Sequence, residues 1–251
     1  MENNMKRLLS AVLVLVLAFV LFACGGGEQG AMDDNSSVST TTTTKIVSDA
    51  TTTTTTVTAP TTIITDDGFT YAIEENGLVV QRYYGSEEYV EIPQTVGGKQ
   101  VVEIGFGAFR DSGVKSVVVP FGVRDISAYA FFNTPLENIE IPDTVTFIGN
   151  NAFSYTNLTE LEAPLGISTI TAEAFSFCER LQSVILGGNI TQIENGAFAF
   201  CPSLEAVYIP YSVSYIADDA FEGSAYLVIF GGEDSYAEQF AEDLELNFEI
   251  V

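Results

Sequence analysis

The chain of 251 residues contains no histidine and no tryptophan, and it has 9 Lys and Arg residues against 34 Asp and Glu residues. The absence of histidine excludes Ser-His-Asp and Cys-His nucleophile systems as well as imidazole metal ligands. The formal net charge of -25 disfavours a nucleic-acid partner, because binding to phosphates requires a basic surface. Apolar residues make up 47% of the chain, which is enough for a sizeable core. We therefore expect a folded, acidic protein that does not bind nucleic acid.

Residues 1–23 are predicted to be a signal peptide, because Lys6 and Arg7 precede a largely apolar run from Leu8 to Phe22. That run falls short of the roughly 20 residues that cross a bilayer as a helix. It ends in Leu-Phe-Ala-Cys, with Cys24 last, and this pattern resembles the signal of bacterial lipoproteins. The resemblance implies that a lipid on Cys24 anchors the exported protein to the bacterial cell membrane. An ordinary secretory signal is the alternative interpretation.

Residues 24–67 are predicted to form a disordered, threonine-rich tether. Residues 33–66 contain 15 threonines, mostly in the runs Thr40–Thr44 and Thr51–Thr56, and very few large apolar side chains. Such a tract cannot offset its own ordering entropy by burying apolar surface. The tether is therefore interpreted as a spacer, with O-glycosylation of the threonines left open.

An Ala-Phe dipeptide recurs at intervals of 22 or 23 residues along the rest of the chain. Its six copies are Ala108-Phe109, Ala130-Phe131, Ala152-Phe153, Ala174-Phe175, Ala197-Phe198 and Ala220-Phe221. An isoleucine stands four residues before each alanine. A period this regular predicts a solenoid, in which each coil buries its apolar face against its neighbours. The six phenylalanines should form one internal stack.

The third position after each of these phenylalanines carries a small residue, and this column is predicted to form a tight internal ladder. Its members are Ser112, Thr134, Thr156, Cys178, Cys201 and Ser224. Because Cys178 and Cys201 lie one repeat apart, the column brings them close together. They can form a disulfide if their Cα atoms are about 4.4 to 6.8 Å apart. Two buried thiols are the alternative.

The stretch from Ile193 to Pro210 reads I-x-x-x-A-F-x-x-C-x-x-L-x-x-V-x-I-P, which resembles the BspA-like leucine-rich repeats of bacterial surface proteins. The Ala-Phe and isoleucine spacings of this pattern hold in six consecutive units. The resemblance implies a β-rich repeat solenoid, a right-handed superhelix of about six coils of 22 or 23 residues, over residues 104–230.

Both ends of the solenoid are predicted to be capped. Residues 68–103 should form an N-terminal cap and a first half coil, because Glu75-Asn76-Gly77 indicates a β-hairpin. Residues 231–251 should form a C-terminal cap of a helix and a strand, because Ser235 and Glu238 make a capping-box pattern.

The resemblance implies adhesion or protein binding at the bacterial surface, with an extracellular protein of a host or of a neighbouring bacterium as the partner. The outward side chains of the predicted strands are the candidate contact surface, because the core does not require them. These candidates are Val118, Asn138, Glu140, Glu160, Glu162, Ile185 and Tyr208. Strand propensity alone is the alternative explanation for exposed Val, Ile and Tyr residues at such positions.

Other function classes are less favoured. A surface coat that self-associates is the main alternative to a binding module. Glycan hydrolysis by Glu140 and Glu162 would require a separation of about 5 to 9.5 Å, a deep cleft and one raised pKa, so no enzyme is expected. Adjacent carboxylates such as Asp218 and Asp219 lack the alternating spacing of a calcium loop, and we expect neither a metal nor a cofactor.

Overall fold

The computed structural model describes residues 68–251 and, in addition, the backbone of residues 39–41 and 62–64. The predicted signal peptide, the lipidation site Cys24 and most of the predicted tether lie outside the described residues, so these assignments remain predictions. Within the described part of the chain, no helix has the length and hydropathy needed to cross a membrane.

The N-terminal part of the described chain forms antiparallel strands. Strand β1 (Ser39–Thr41) pairs with β2 (Thr62–Ile64), which in turn pairs with β3 (Phe69–Glu74). The chain then turns and returns antiparallel as β4 (Gly77–Tyr83). Strands β1 and β2 therefore lie within the segment 24–67, for which composition alone predicts a tether.

Two ladders of mainly parallel strands build the solenoid, and the predicted β-rich repeat fold is confirmed. The first ladder consists of β5 (Tyr89–Glu91), β8 (Ser116–Val118), β10 (Asn138–Glu140), β12 (Glu160–Glu162), β14 (Ser183–Ile185), β16 (Ala206–Tyr208), β18 (Val228–Gly231) and β19 (Asn247–Ile250). The second consists of β4, β7 (Lys99–Ile104), β9 (Asp125–Ile126), β11 (Phe147–Ile148), β13 (Thr169–Ile170), β15 (Gln192–Ile193) and β17 (Tyr215–Ile216). A short strand, β6 (Thr95–Val96), forms a hairpin with β7.

The third side of each coil, which we call the turn side, carries the Ala-Phe dipeptide. The backbone N–H of each of the first five phenylalanines donates to the carbonyl of the alanine in the next coil, as from Phe131 to Ala152 at 2.8 Å and from Phe153 to Ala174 at 2.8 Å. Each of these alanines is fully buried. Alanine recurs because this enclosed position favours a small side chain, and phenylalanine recurs because its ring fills the core.

The six phenylalanines form the continuous internal stack that the period predicts. Their rings follow one another with centroids 4.9 to 5.5 Å apart and interplanar angles of 3° to 16°. Tyr83 continues the stack before Phe109, at 5.3 Å. Burial of each ring contributes roughly 1.5 to 3 kcal/mol, so the stack is a large part of what holds the coils together.

Helix α1 (Tyr236–Asp243) and strand β19 follow the last coil. Ser235 is the N-cap of α1, and its hydroxyl accepts a hydrogen bond from the backbone N–H of Glu238 at 3.2 Å. Phe240 of α1 lies against Phe221, with ring centroids 6.1 Å apart. The helix therefore covers the last ring of the phenylalanine stack, which an open solenoid end would leave exposed.

Candidate binding face

The outward side chains of the first ladder form a regular surface, which we call the strand face. In β8, β12 and β14 the central residue is buried and the residues on either side of it are not, because successive side chains of a strand point to opposite sides. All seven candidate residues occupy outward positions of this ladder. The strand register places Val118 beside Glu140, and Ile185 between Glu162 and Tyr208.

The centre of the strand face is acidic. Glu140, Glu160 and Glu162 are exposed, and within residues 68–251 no basic side chain forms an ion pair with any of them. Ile185 and Tyr208, which are half-buried, border the carboxylates on the C-terminal side. The face therefore presents uncompensated negative charge next to apolar surface.

Two basic residues near the strand face are already engaged by other carboxylates. Lys115 Nζ lies 2.7 Å from Glu88 Oε1, and this hydrogen bond raises the pKa of Lys115. Arg180 Nη1 lies 3.2 Å from Glu137 Oε1. Such exposed ion pairs contribute little stability, but they leave the negative charge at the centre of the face uncompensated.

Sequence reasoning missed two outward residues of the first ladder, Tyr89 and Glu91 in β5. The Tyr89 hydroxyl donates to Glu91 Oε1 at 2.7 Å, and this hydrogen bond raises the pKa of Tyr89. Both residues flank the buried Val90. The alternation of Val90 with Ile92 was a sufficient signal to find them, since it has the same period as the later strands.

The two ladders are interrupted at the same place, which we call the seam. It separates the coil of residues 138–159 from the coil of residues 160–182. The first ladder divides into one sheet that ends at β10 and another that begins at β12, and no pairing joins β11 to β13 in the described structure. The solenoid therefore consists of two blocks of paired strands.

Backbone hydrogen bonds show how the seam differs from the other boundaries. After each strand of the first ladder, the next N–H bonds to the following coil, as from Val119 to Glu140 at 3.0 Å and from Ala163 to Ile185 at 3.0 Å. The equivalent bond from Ile141 to the carbonyl of Glu162 is not formed among the described residues. These backbone groups are consequently open at the seam.

Like charges coincide with the interruption of the first ladder. Continuing the register by one repeat would place Glu140 directly opposite Glu162, whereas the paired boundaries place Val118 opposite Glu140 and Glu162 opposite Ile185. Like charges directly opposite each other destabilise strand pairs. Repulsion between the two carboxylates therefore gives a physical reason for the break in the ladder.

The turn side holds the two coils together across the seam. Besides the bond from Phe153 to Ala174, the N–H of Tyr155 donates to the carbonyl of Ser176 at 3.0 Å. The hydroxyl of Ser154 contributes a further bond across this boundary, to the carbonyl of Glu173 at 2.6 Å. The seam is thus closed on the turn side and open on the side of the first ladder. On the side of the second ladder, the hydroxyl of Thr171 donates to the carbonyl of Ile148 at 2.8 Å.

A second surface feature, an exposed aromatic column, runs along the turn side and was missed from the sequence. Its members are Phe106, Tyr129, Phe132, Tyr155, Phe177 and Phe200. The rings of Tyr155, Phe177 and Phe200 stack face to face at 4.5 and 4.7 Å. The signal was an aromatic residue two positions after the core phenylalanine in three successive repeats.

The last three members of the aromatic column have a left-handed backbone, with φ of 61° at Tyr155, 57° at Phe177 and 58° at Phe200. Bulky residues rarely adopt this conformation, and the equivalent positions in earlier coils hold Asp111 and Asn133. Aromatic stacking contributes about 0.5 to 1.5 kcal/mol per pair beyond burial. Stacking between the rings therefore accounts for aromatic residues at these positions, and the column has a structural role.

The predicted column of small residues lies inside the solenoid, and its two cysteines are free thiols. The Cys178 thiol donates to the carbonyl of Phe153 at 3.3 Å and the Cys201 thiol donates to the carbonyl of Phe175 at 3.2 Å. The structure thus has the thiol alternative instead of the disulfide. A hydrogen bond with Cys178, together with burial, raises the pKa of Cys201.

Neither buried thiol is expected to react with an alkylating reagent in the native protein, because reaction requires an accessible thiolate. Peptide mass mapping after brief alkylation should find Cys178 and Cys201 unmodified in buffer and modified in denaturant. The denatured sample is the control for reagent activity. A linked pair of peptides without reductant would contradict the thiol assignment.

The repeated coil, with two ladders of short strands around a stacked apolar core, places the protein in the class of leucine-rich-repeat solenoids. The chain belongs to the family described as the BspA type leucine-rich repeat region, whose model matches residues 102–228 in six copies. A comparison with curated protein sequences found no match.

Solved bacterial structures share the fold. A leucine-rich cell surface protein of Faecalibacterium prausnitzii is 25% identical with a TM-score of 0.54, over 71% of this chain and 56% of the other. The pneumococcal vaccine antigen PcpA is 23% identical with a TM-score of 0.57, over 67% of this chain and 49% of the other. A leucine-rich repeat protein of T. pallidum is 22% identical with a TM-score of 0.51, over 73% and 96%. This chain therefore spans about half the length of the first two proteins.

Proposed function

We propose that the protein is a lipid-anchored module outside the cell that binds another extracellular protein through the strand face. Membership of the BspA-type family and the likeness to a bacterial cell surface protein support the surface location. The signal pattern that ends at Cys24 supports export and lipid attachment. The partner is a host protein or a protein of a neighbouring bacterium, and the activity is adhesion.

The observation that carries the proposal is the combination of charge and apolar surface on the strand face. Glu140, Glu160 and Glu162 have no ion-pair partner in the described chain. Ile185 lies directly beside Glu162, and Tyr208 lies beside Ile185. A partner with basic side chains gains most from uncompensated carboxylates. Tyrosine is enriched among the residues that dominate binding energies. A basic or mixed-charge protein surface therefore fits this face best.

Two other functions have less support. Self-association into a surface coat is opposed by the net charge of -25, which repels one copy from another. Catalysis by Glu140 and Glu162 lacks a deep cleft, because both side chains stand exposed on a strand ladder. We propose that the protein binds and does not catalyse.

Charge reversal on the strand face is expected to weaken partner binding at least tenfold. Glu140→Lys combined with Tyr208→Ala replaces one attractive charge with a repulsive one and removes an aromatic contact. Binding of the purified protein to a panel of extracellular proteins, measured by biolayer interferometry at low and high salt, checks this. Binding to the wild type should also weaken as salt screens the carboxylates.

The matched control is Glu222→Lys combined with Tyr215→Ala, which makes the same changes on the turn side and on the second ladder. This control should bind as the wild type does. Equal loss in both double variants, or no loss in either, would contradict binding through the strand face.

A further inference from the structure

The seam exposes two facing strand edges in the middle of the first ladder. Strand β10 pairs only with β8, and β12 pairs only with β14, among the described strands. The N–H of Ile141 and the carbonyl of Glu162 lack the bond that their counterparts form at the other boundaries. Open strand edges are templates for pairing with a strand of another chain.

Apolar side chains of the core become accessible at the seam. Apart from Phe248 in the terminal strand β19, the inward residues at the centres of the other first-ladder strands are buried, as Val117 and Val184 are at 1% exposure. Ile139 and Ile141 are only partly buried and pack at the margin of the core. Burial of further apolar surface there would stabilise a bound segment.

The rim of the seam is negatively charged. Glu140 stands on one side of the opening and Glu160 and Glu162 stand on the other, all of them exposed. The charge that separates the two strands is therefore also the charge that a cationic segment would neutralise. A bound chain with Lys or Arg side chains would remove the repulsion that interrupts the ladder.

We propose that the seam binds an extended, basic segment of the partner protein, which adds as a strand between β10 and β12. Its backbone bonds to the open edges, its apolar side chains cover Ile139 and Ile141, and its Lys or Arg side chains lie beside the three carboxylates. This inference rests on the proposed function, since it specifies how the strand face binds its partner.

Contacts on either side of the seam limit the length of the added strand. The turn side stays bonded, and at the corner after β12 the N–H of Leu165 donates to Asp143 Oδ1 at 2.9 Å. The opening between these contacts corresponds to the three residues of β10 and β12. A segment of about that many residues, at roughly 3.3 Å each, fits the length of the open edge.

The experiment uses the purified full-length protein and a seven-residue peptide of alternating Lys and Ile, of which the central three residues match the open edge and the ends extend into solvent. A second peptide has the same sequence but is N-methylated at every second residue, so it keeps the charge and side chains while losing backbone donors. The unmodified peptide should bind at least tenfold more tightly by fluorescence anisotropy. It should also slow hydrogen exchange at the amides of Ile139 and Ile141.

Variants of the protein locate the site. Glu140→Gln combined with Glu162→Gln should weaken binding of the unmodified peptide at least fivefold, whereas Glu222→Gln on the turn side should leave it unchanged. Both substitutions keep the size of the side chain, and circular dichroism verifies that the coils of the variant stay folded.

The outcomes separate this inference from the proposed function. Equal binding of the two peptides, with loss in the Glu140→Gln and Glu162→Gln variant, would overturn strand addition and leave charge-based binding at the strand face intact. Absence of peptide binding, with extracellular proteins still bound through the face, would also overturn only the strand addition. Loss of both kinds of binding would overturn both proposals.

Discussion

Replacing Phe153 with alanine should lower the free energy of unfolding by about 3 to 5 kcal/mol. The ring of Phe153 is fully buried and lies between those of Phe131 and Phe175, at 5.2 Å from each. Its neighbours are fixed by backbone bonds across the turn side, so they cannot close the cavity that the substitution leaves. The loss should be large because the transfer and cavity costs add.

Denaturant unfolding followed by circular dichroism measures this change. The matched control is Phe147→Ala, which removes the same ring from the neighbouring β11, where Phe147 is 47% exposed. The control should cost about 1 kcal/mol or less. Similar losses in the two variants would show that the phenylalanine stack is not the main support of the coils.

Gly166→Ala should destabilise the protein by about 1 to 3 kcal/mol, because it forces a methyl group into backbone atoms. A Cβ atom at this position would lie 2.1 Å from the carbonyl oxygen of Val145 and 2.5 Å from that of Asp143. Neither oxygen belongs to a side chain that could rotate away. The two coils would therefore have to separate at the corner beside the seam.

Gly188→Ala is the control for this prediction. Gly188 follows the strand of the next coil, and no atom lies within 4 Å of the Cβ that it would gain. Its thermal unfolding midpoint should remain close to that of the wild type, whereas the midpoint of Gly166→Ala should fall by several degrees. Equal midpoints would mean that the coils are not in close contact at Gly166.

The period of the sequence was sufficient to predict the solenoid and its core. The Ala-Phe dipeptide occupies the same buried position in every coil. The position of Phe153 therefore follows from that of Phe131 by adding one repeat. The alternation of buried and outward residues in a strand then assigns Glu140 and Tyr208 to the outward side. The core position and the outward positions can both be predicted because each recurs at the same place in every repeat.

The seam could not be predicted in the same way, because it depends on how two coils meet. Ile139 matches the repeat pattern as well as Val117 does, yet only Val117 is fully buried. The charges of Glu140 and Glu162 were visible in the sequence, but their effect on pairing requires the register. Strands β1 and β2 were missed because neither has large apolar side chains in a repeating pattern.

The seam also determines how the protein would respond to mechanical tension. In the binding module proposed above, the anchor would precede the seam along the chain and Tyr208 would follow it, so tension between them would be carried across this boundary. The load would cross it mainly through the turn side, where the backbone bonds of Phe153 and Tyr155 remain while the strands are unpaired. Because fewer backbone bonds cross the seam than cross the other boundaries, we expect the solenoid to bend there first under tension.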